Sequence, residues 1–156
     1  MFMLEEPSLH IRLVDQPIDS QSLLSLAHRP DCGAVLLFLG TTRAWTDGHS
    51  TACLEYDAYR QMAIRSLEGL AQQALTRWRL GRVVIEHRLG MVPVMEASVA
   101  IVVSAAHRQA AFEAGQWLID QLKAEVPIWK KDHTADGDSQ WLHPSTSASP
   151  NSLVGE

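Results

Sequence analysis

The sequence predicts an α+β fold in a single domain. Three observations carry this. Several short segments alternate apolar and polar residues, or run nearly all apolar between glycines and prolines, as strands do. Two long segments repeat apolar residues at spacings of three and four, as amphipathic helices do. The order of these segments mixes hairpins with helical crossovers and does not alternate strand and helix regularly.

The elements follow in chain order. Residues 8–15, SLHIRLVD, alternate and read as a strand ended by Pro17. Asp19 or Ser20 can cap a short helix over 21–28, with Leu23, Leu24 and Ala27 on one side and Pro30 closing it. Residues 33–40, GAVLLFLG, form an apolar run bounded by glycines, the pattern of a central strand buried on both faces. Residues 41–50, TTRAWTDGHS, are polar with an Asp47-Gly48 pair and read as a loop. Residues 52–59 alternate again, setting Leu54, Tyr56 and Ala58 against Cys53, Glu55 and Asp57. Ala63, Leu67, Leu70, Ala74, Leu75 and Trp78 make one stripe, so 61–78 is a helix, broken at Gly81. Residues 82–89 form a strand, Gly90 and Pro93 a turn, and 98–104, SVAIVVS, a buried strand. A second long helix spans 107–125, with Ala111, Ala114, Leu118 and Leu122 inward and Pro127 after its end. Residues 128–134 form a strand, and Asp136-Gly137-Asp138 can turn the chain back on 140–143. The domain is expected over residues 1–144, with 145–156, poor in apolar residues, as a disordered tail.

Composition narrows the function. The 156 residues, 46% hydrophobic and 20% charged, fit one globular domain and exclude a fibrous or disordered chain. No apolar run approaches the roughly 20 residues needed to span a bilayer, and the acidic start lacks the pattern of a secretory signal. A cytoplasmic protein with no membrane association is expected, and Cys32 and Cys53, each in a strand-like segment, are expected as buried thiols. The net charge of −5 argues against nucleic-acid binding. The seven histidines show no ligand spacing with cysteines or carboxylates, and no dinucleotide, phosphate-loop or nucleophile-elbow motif occurs, so neither a metal nor a cofactor is expected.

The basic residues are uneven: 10 Arg are scattered, but all three Lys, Lys123, Lys130 and Lys131, fall between positions 123 and 131. An acidic chain that gathers its ammonium groups has an anion to meet there, or a solvated basic patch that complements a helix end. In a strand Lys130 shares a face with Ile128 and Asp132, while Lys131 shares one with Trp129. A lysine held near other cations or out of water has a lowered pKa and can act as base or nucleophile. Two further anion seats are readable. His107 and Arg108 open a helix directly after a buried strand, where free N–H groups favour anions. Thr41, Thr42 and Arg43 follow a strand end in a polar loop, where binding groups commonly lie. His107 and Lys123 stand at opposite ends of one helix, roughly 24 Å apart along its axis. If both serve one site, that site is large or shared by two copies of the chain; a two-fold dimer with His107 and Arg108 of one copy facing Lys123 and Lys130 of the other satisfies this.

These residues lie in segments that resemble the large, catalytic subunits of molybdopterin synthases. The likeness covers 33–141 through GAVLLFLGTTR, LEYDAYRQMA, LGRVVIEHRLGMVP, SAAHRQAAFEAGQWLIDQLKAEVPIWKKD and the DGDSQW turn. It implies an α/β hammerhead with an additional antiparallel β subdomain. It implies a sulfurtransferase of molybdenum cofactor biosynthesis that converts cyclic pyranopterin monophosphate to the molybdopterin dithiolene. The sulfur would come from the C-terminal Gly-Gly thiocarboxylate of a small ubiquitin-like sulfur-carrier subunit, in a heterotetramer built on a homodimer core. By the same likeness Thr41, Thr42, Arg43, His107 and Arg108 would bind substrate. Lys123 would lie beside the thiocarboxylate and act catalytically, as would Lys130, with Lys131 and Asp132 lining the same stretch.

The chain departs from the family pattern at four places. Thr42 stands where Val is usual, and Val94-Met95-Glu96 where Gly-Glu is typical. Asp132 replaces Glu, and no Arg follows the last turn, so that contribution to the phosphate site is either missing or taken by His143. A non-catalytic anion- or partner-binding protein on the same fold is the alternative reading.

Overall fold

The computed structural model describes residues 8–142. The expected tail from 145 and the proposed substitute His143 lie outside the described residues. Twelve elements follow one another: β1 (Leu9–Val14), α1 (Ser20–Ala27), β2 (Ala34–Thr41), β3 (Trp45–Thr46), β4 (His49–Ala58), α2 (Arg60–Arg77), β5 (Leu80–Arg88), β6 (Gly90–Pro93), β7 (Ala97–Ala105), α3 (Arg108–Glu125), β8 (Ile128–Thr134) and β9 (Ser139–Leu142).

They form two sheets. The first has the order β1-β5-β7-β2, with β1 parallel to β5 and the other pairs antiparallel. Its central strands alternate between two cores, as the period of two demands. Val83 and Ile85 of β5 and Ile101 and Val103 of β7 pack with Leu67 and Leu70 of α2 and Leu118 of α3. Val84, Ala100 and Val102 point the other way, onto Leu23 and Ala27 of α1. The stripes on α2 and α3 are the buried faces expected from the sequence: Ala63, Leu67, Leu70 and Ala74, then Ala111, Ala114, Leu118 and Leu122. Asp19 caps α1 by accepting the Ser22 N–H at 3.3 Å. The second sheet runs β3-β4-β8-β9, with β6 also paired to β4. Helix α2 carries the chain from the second sheet to the first, and α3 carries it back.

The mixed architecture is the α+β class read from the sequence, and four local expectations need correction. The apolar segment 33–40 is not central: β2 lies at the edge of its sheet, paired to β7 alone, with its side chains half-buried and Leu39 exposed. The central places belong to β5 and β7. The polar segment 41–50 is only partly loop. Trp45 and Thr46 pair with Ser50 and His49 across an Asp47-Gly48 turn whose φ angles are 48° and 79°, the left-handed pair such hairpins require. The Gly90–Pro93 turn is itself a short strand on β4. Finally, Cys32 lies in the turn before β2, not within a strand, and both cysteines are free and only half-buried.

Candidate functional site

A cavity of about 420 Å³ opens where the two sheets meet the C-terminal turns of α3. Three elements aim cations into it. Arg43 comes from the loop after β2, Lys123 from the last turn of α3, and Lys130 from β8. The alternation of β8 sends Ile128, Lys130 and Asp132 to the cavity, the shared face read from the sequence, and Trp129 of the opposite parity also reaches its lining. The same rule on β4 sends Leu54 and Tyr56 there.

Lys130 is perturbed by its surroundings. Burial lowers its pKa below the usual lysine value, and the positive charges of Lys123 and Arg43 lower it further, while Asp132 opposes them. Asp132 is oriented by Thr51, whose hydroxyl donates to its Oδ2 at 3.2 Å. The site therefore concentrates positive charge around a half-buried ammonium group, an environment suited to anions and to charge developing during a reaction.

The other predicted residues divide. Thr41 lines the cavity beside Arg43. The Thr42 side chain does not: it is 3% exposed, and its hydroxyl donates to the Val92 carbonyl at 3.3 Å. Its N–H donates to the Glu96 carbonyl at 3.0 Å, and its own carbonyl accepts from Met95 at 2.8 Å. With every polar group engaged inside the fold, Thr42 braces the loop that presents Arg43. The Arg88–Glu96 ion pair, 3.1 Å long, ties the same turn to β5. Lys131 lies outside the cavity, its ammonium 5.3 Å from the centre of the Trp141 ring. His107 and Arg108 are exposed at the start of α3, and His107 makes no side-chain cap. They do not line this cavity, and the helix keeps His107 roughly 24 Å along its axis from Lys123 within one chain.

Sequence reasoning missed five neutral polar residues of the cavity: Thr46, Thr51, Tyr56, His87 and Ser98. His87 is buried, and Tyr56 meets its ring edge-on with centroids 5.0 Å apart. The available signal was a histidine two positions beyond the apolar run Val83–Ile85 of β5, where a buried polar group needs a partner.

The fold is α+β, and its cavity is lined by three cations. The comparisons make this particular. Residues 13–125 match the family model described as MoaE protein. A molybdopterin synthase catalytic subunit of Culex quinquefasciatus is 44% identical over 137 residues, covering 86% of this chain and 87% of that one. One from Drosophila willistoni is 43% identical over 90% of this chain, which spans only 38% of that longer protein. Among solved structures, molybdopterin synthase from Staphylococcus aureus superposes with a TM-score of 0.79 at 34% identity, covering 83% of this chain and 94% of that one. The chain belongs to the MoaE protein family, the family of molybdopterin synthase catalytic subunits.

Proposed function

We propose that this chain catalyses sulfur transfer to cyclic pyranopterin monophosphate, building the molybdopterin dithiolene. The donor is the C-terminal thiocarboxylate of a small ubiquitin-like partner whose Gly-Gly tail enters the cavity. The observation that carries this reading is the convergence of Arg43, Lys123 and Lys130 on one cavity in a chain of net charge −5. Substrate phosphate and thiocarboxylate are both anions, and bringing them together costs Coulomb energy unless cations lie between them. Family membership supports the same reaction.

The roles follow from position. Arg43, with Thr41, holds the anionic part of the substrate. Lys123, exposed on the last turn of α3, meets the incoming thiocarboxylate. Once the thiocarboxylate sulfur has bonded to the substrate, Lys123 assists cleavage of the acyl–sulfur bond by water, which leaves the sulfur on the substrate and the small subunit as an ordinary carboxylate. Lys130, half-buried between them, stabilises charge that develops as sulfur attacks, and Asp132 keeps it protonated. His107 and Arg108 act in the site of a second copy, in a two-fold dimer that carries one small subunit at each end. The surroundings are the cytoplasm, where thiols stay reduced.

The test is reconstitution. Purified chain, thiocarboxylated small subunit and cyclic pyranopterin monophosphate should yield dithiolene product, and the small subunit with an ordinary carboxylate should yield none. Binding of both reactants without product would make this a binding protein on the same fold.

A further inference from the structure

The cavity holds uncharged polar groups among its cations, and Tyr56 stands directly across the β4–β8 pair from Lys130. Its uncharged polar groups include Tyr56, His87 and Ser98. The Ser98 hydroxyl donates to the Gly40 carbonyl at 3.3 Å and so is engaged, and burial raises the pKa of the Tyr56 hydroxyl. His87 differs. Its Nδ1 lies 2.8 Å from the Arg88 carbonyl. A carbonyl only accepts, so Nδ1 carries the proton and Nε2 keeps a bare lone pair. Among the described residues Nε2 has no partner, yet it is not one of the polar atoms sealed from solvent. The residue is 3% exposed, and its ring lines the cavity, so that opening is where Nε2 can find a donor. The edge-on contact with Tyr56, 66° between ring planes, holds the imidazole in place. Burial lowers its pKa to about 4, which keeps the ring neutral near pH 7.

We propose that His87 is a specificity-determining residue: its Nε2 accepts a hydrogen bond from an N–H or O–H of the neutral, ring-bearing part of the substrate while the anionic part faces Arg43, Lys123 and Lys130. This rests on the substrate proposed above and deepens it. Once substrate covers Nε2 and shuts out water, a lone pair left without a donor is costly, and a matching donor on the substrate removes that cost. A molecule that presents a carbonyl or ether oxygen at the same point meets lone pair with lone pair and is rejected.

The experiment uses the full chain assembled with its small subunit. His87→Phe keeps a ring but loses the lone pair, whereas His87→Gln can set an amide oxygen near the position of Nε2. His87→Phe should raise KM for cyclic pyranopterin monophosphate about tenfold with kcat within about threefold of the unaltered protein, and His87→Gln should recover most of the loss. In the unaltered protein, the ¹⁵N resonance of the His87 Nε2 should move when the substrate is added, a readout that does not depend on either variant folding. An unchanged KM in a folded His87→Phe, or a His87→Gln as impaired as His87→Phe, overturns the acceptor role. So does normal turnover with an unmoved Nε2 resonance, which leaves the reaction itself standing. Absence of dithiolene overturns the reaction; movement of Nε2 in that case upholds the binding role alone, and an unmoved resonance overturns both.

Discussion

Lys130 shows how function and stability pull apart at a single residue. Its pKa is lowered first by burial and then by Lys123 and Arg43, so the charged form is held at a cost to folding. The unfolded chain, with an ordinary lysine pKa of about 10.5, binds more protons than the folded one between the two values. Folding stability therefore rises with pH across that window, and the burden of the charge is present in full below it. Lys130→Met removes the charge and keeps the stem. It should raise the melting temperature at pH 7, and its advantage should shrink as pH climbs toward 10.5. Thermal unfolding of both proteins from pH 7 to 10.5 checks this; a variant less stable at pH 7 would contradict it. Thr42 teaches the opposite lesson. Its place beside Arg43 marks it as a binding residue in the sequence, but its hydroxyl and both backbone groups are engaged within the fold.

At the scale of elements, much of the fold was legible because periodicity reports burial directly. The stripe from Ala63 to Ala74 fixed α2, Ala111 to Leu122 fixed α3, and the parity of Ile128, Lys130 and Asp132 fixed which face of β8 meets the cavity. What periodicity cannot report is which strand lies next to which. The run Ala34–Thr41 is apolar enough for a central strand, but β7 pairs it on one side only. The Tyr56–His87 contact was illegible for the same reason: it joins β4 of one sheet to β5 of the other, and no local pattern links them. Nor could β3 and β6 be read, since two to four residues carry too little pattern. The turn between β6 and β7 carries its own signature. Met95 sits at φ 73° with its side chain 84% exposed, a left-handed conformation that costs a residue with a Cβ. Met95→Gly should stabilise the protein by about 0.5–1 kcal/mol, the relief of strain exceeding the added freedom of the unfolded chain. Denaturant unfolding measures this, and a lower midpoint would count against a strained turn.

On the scale of the whole molecule, helix α3 separates two sets of cations. Arg43, Lys123 and Lys130 meet in one cavity, whereas His107 and Arg108 stand exposed at the far end of the helix. The proposed two-fold dimer gives the second set a role in the partner's site. A mixed assembly then makes a clear prediction. His107→Ala and Lys123→Ala chains, each impaired alone, should regain part of the activity when combined, because one of the two sites in the mixed dimer carries neither substitution. No regain in a dimer confirmed to be mixed would confine the reaction to residues of a single chain.

The proposed sulfur transfer depends on the clustered cations of the cavity, and Lys123 is the cleanest of them to remove because its exposed side chain on α3 contributes little to the core. The rate of dithiolene formation by Lys123→Ala, measured at saturating substrate with thiocarboxylated small subunit, should fall by about 10²-fold or more. Melting temperature and small-subunit binding should stay at the values of the unaltered protein. Turnover within about threefold of normal, with the fold and the assembly intact, would contradict the account.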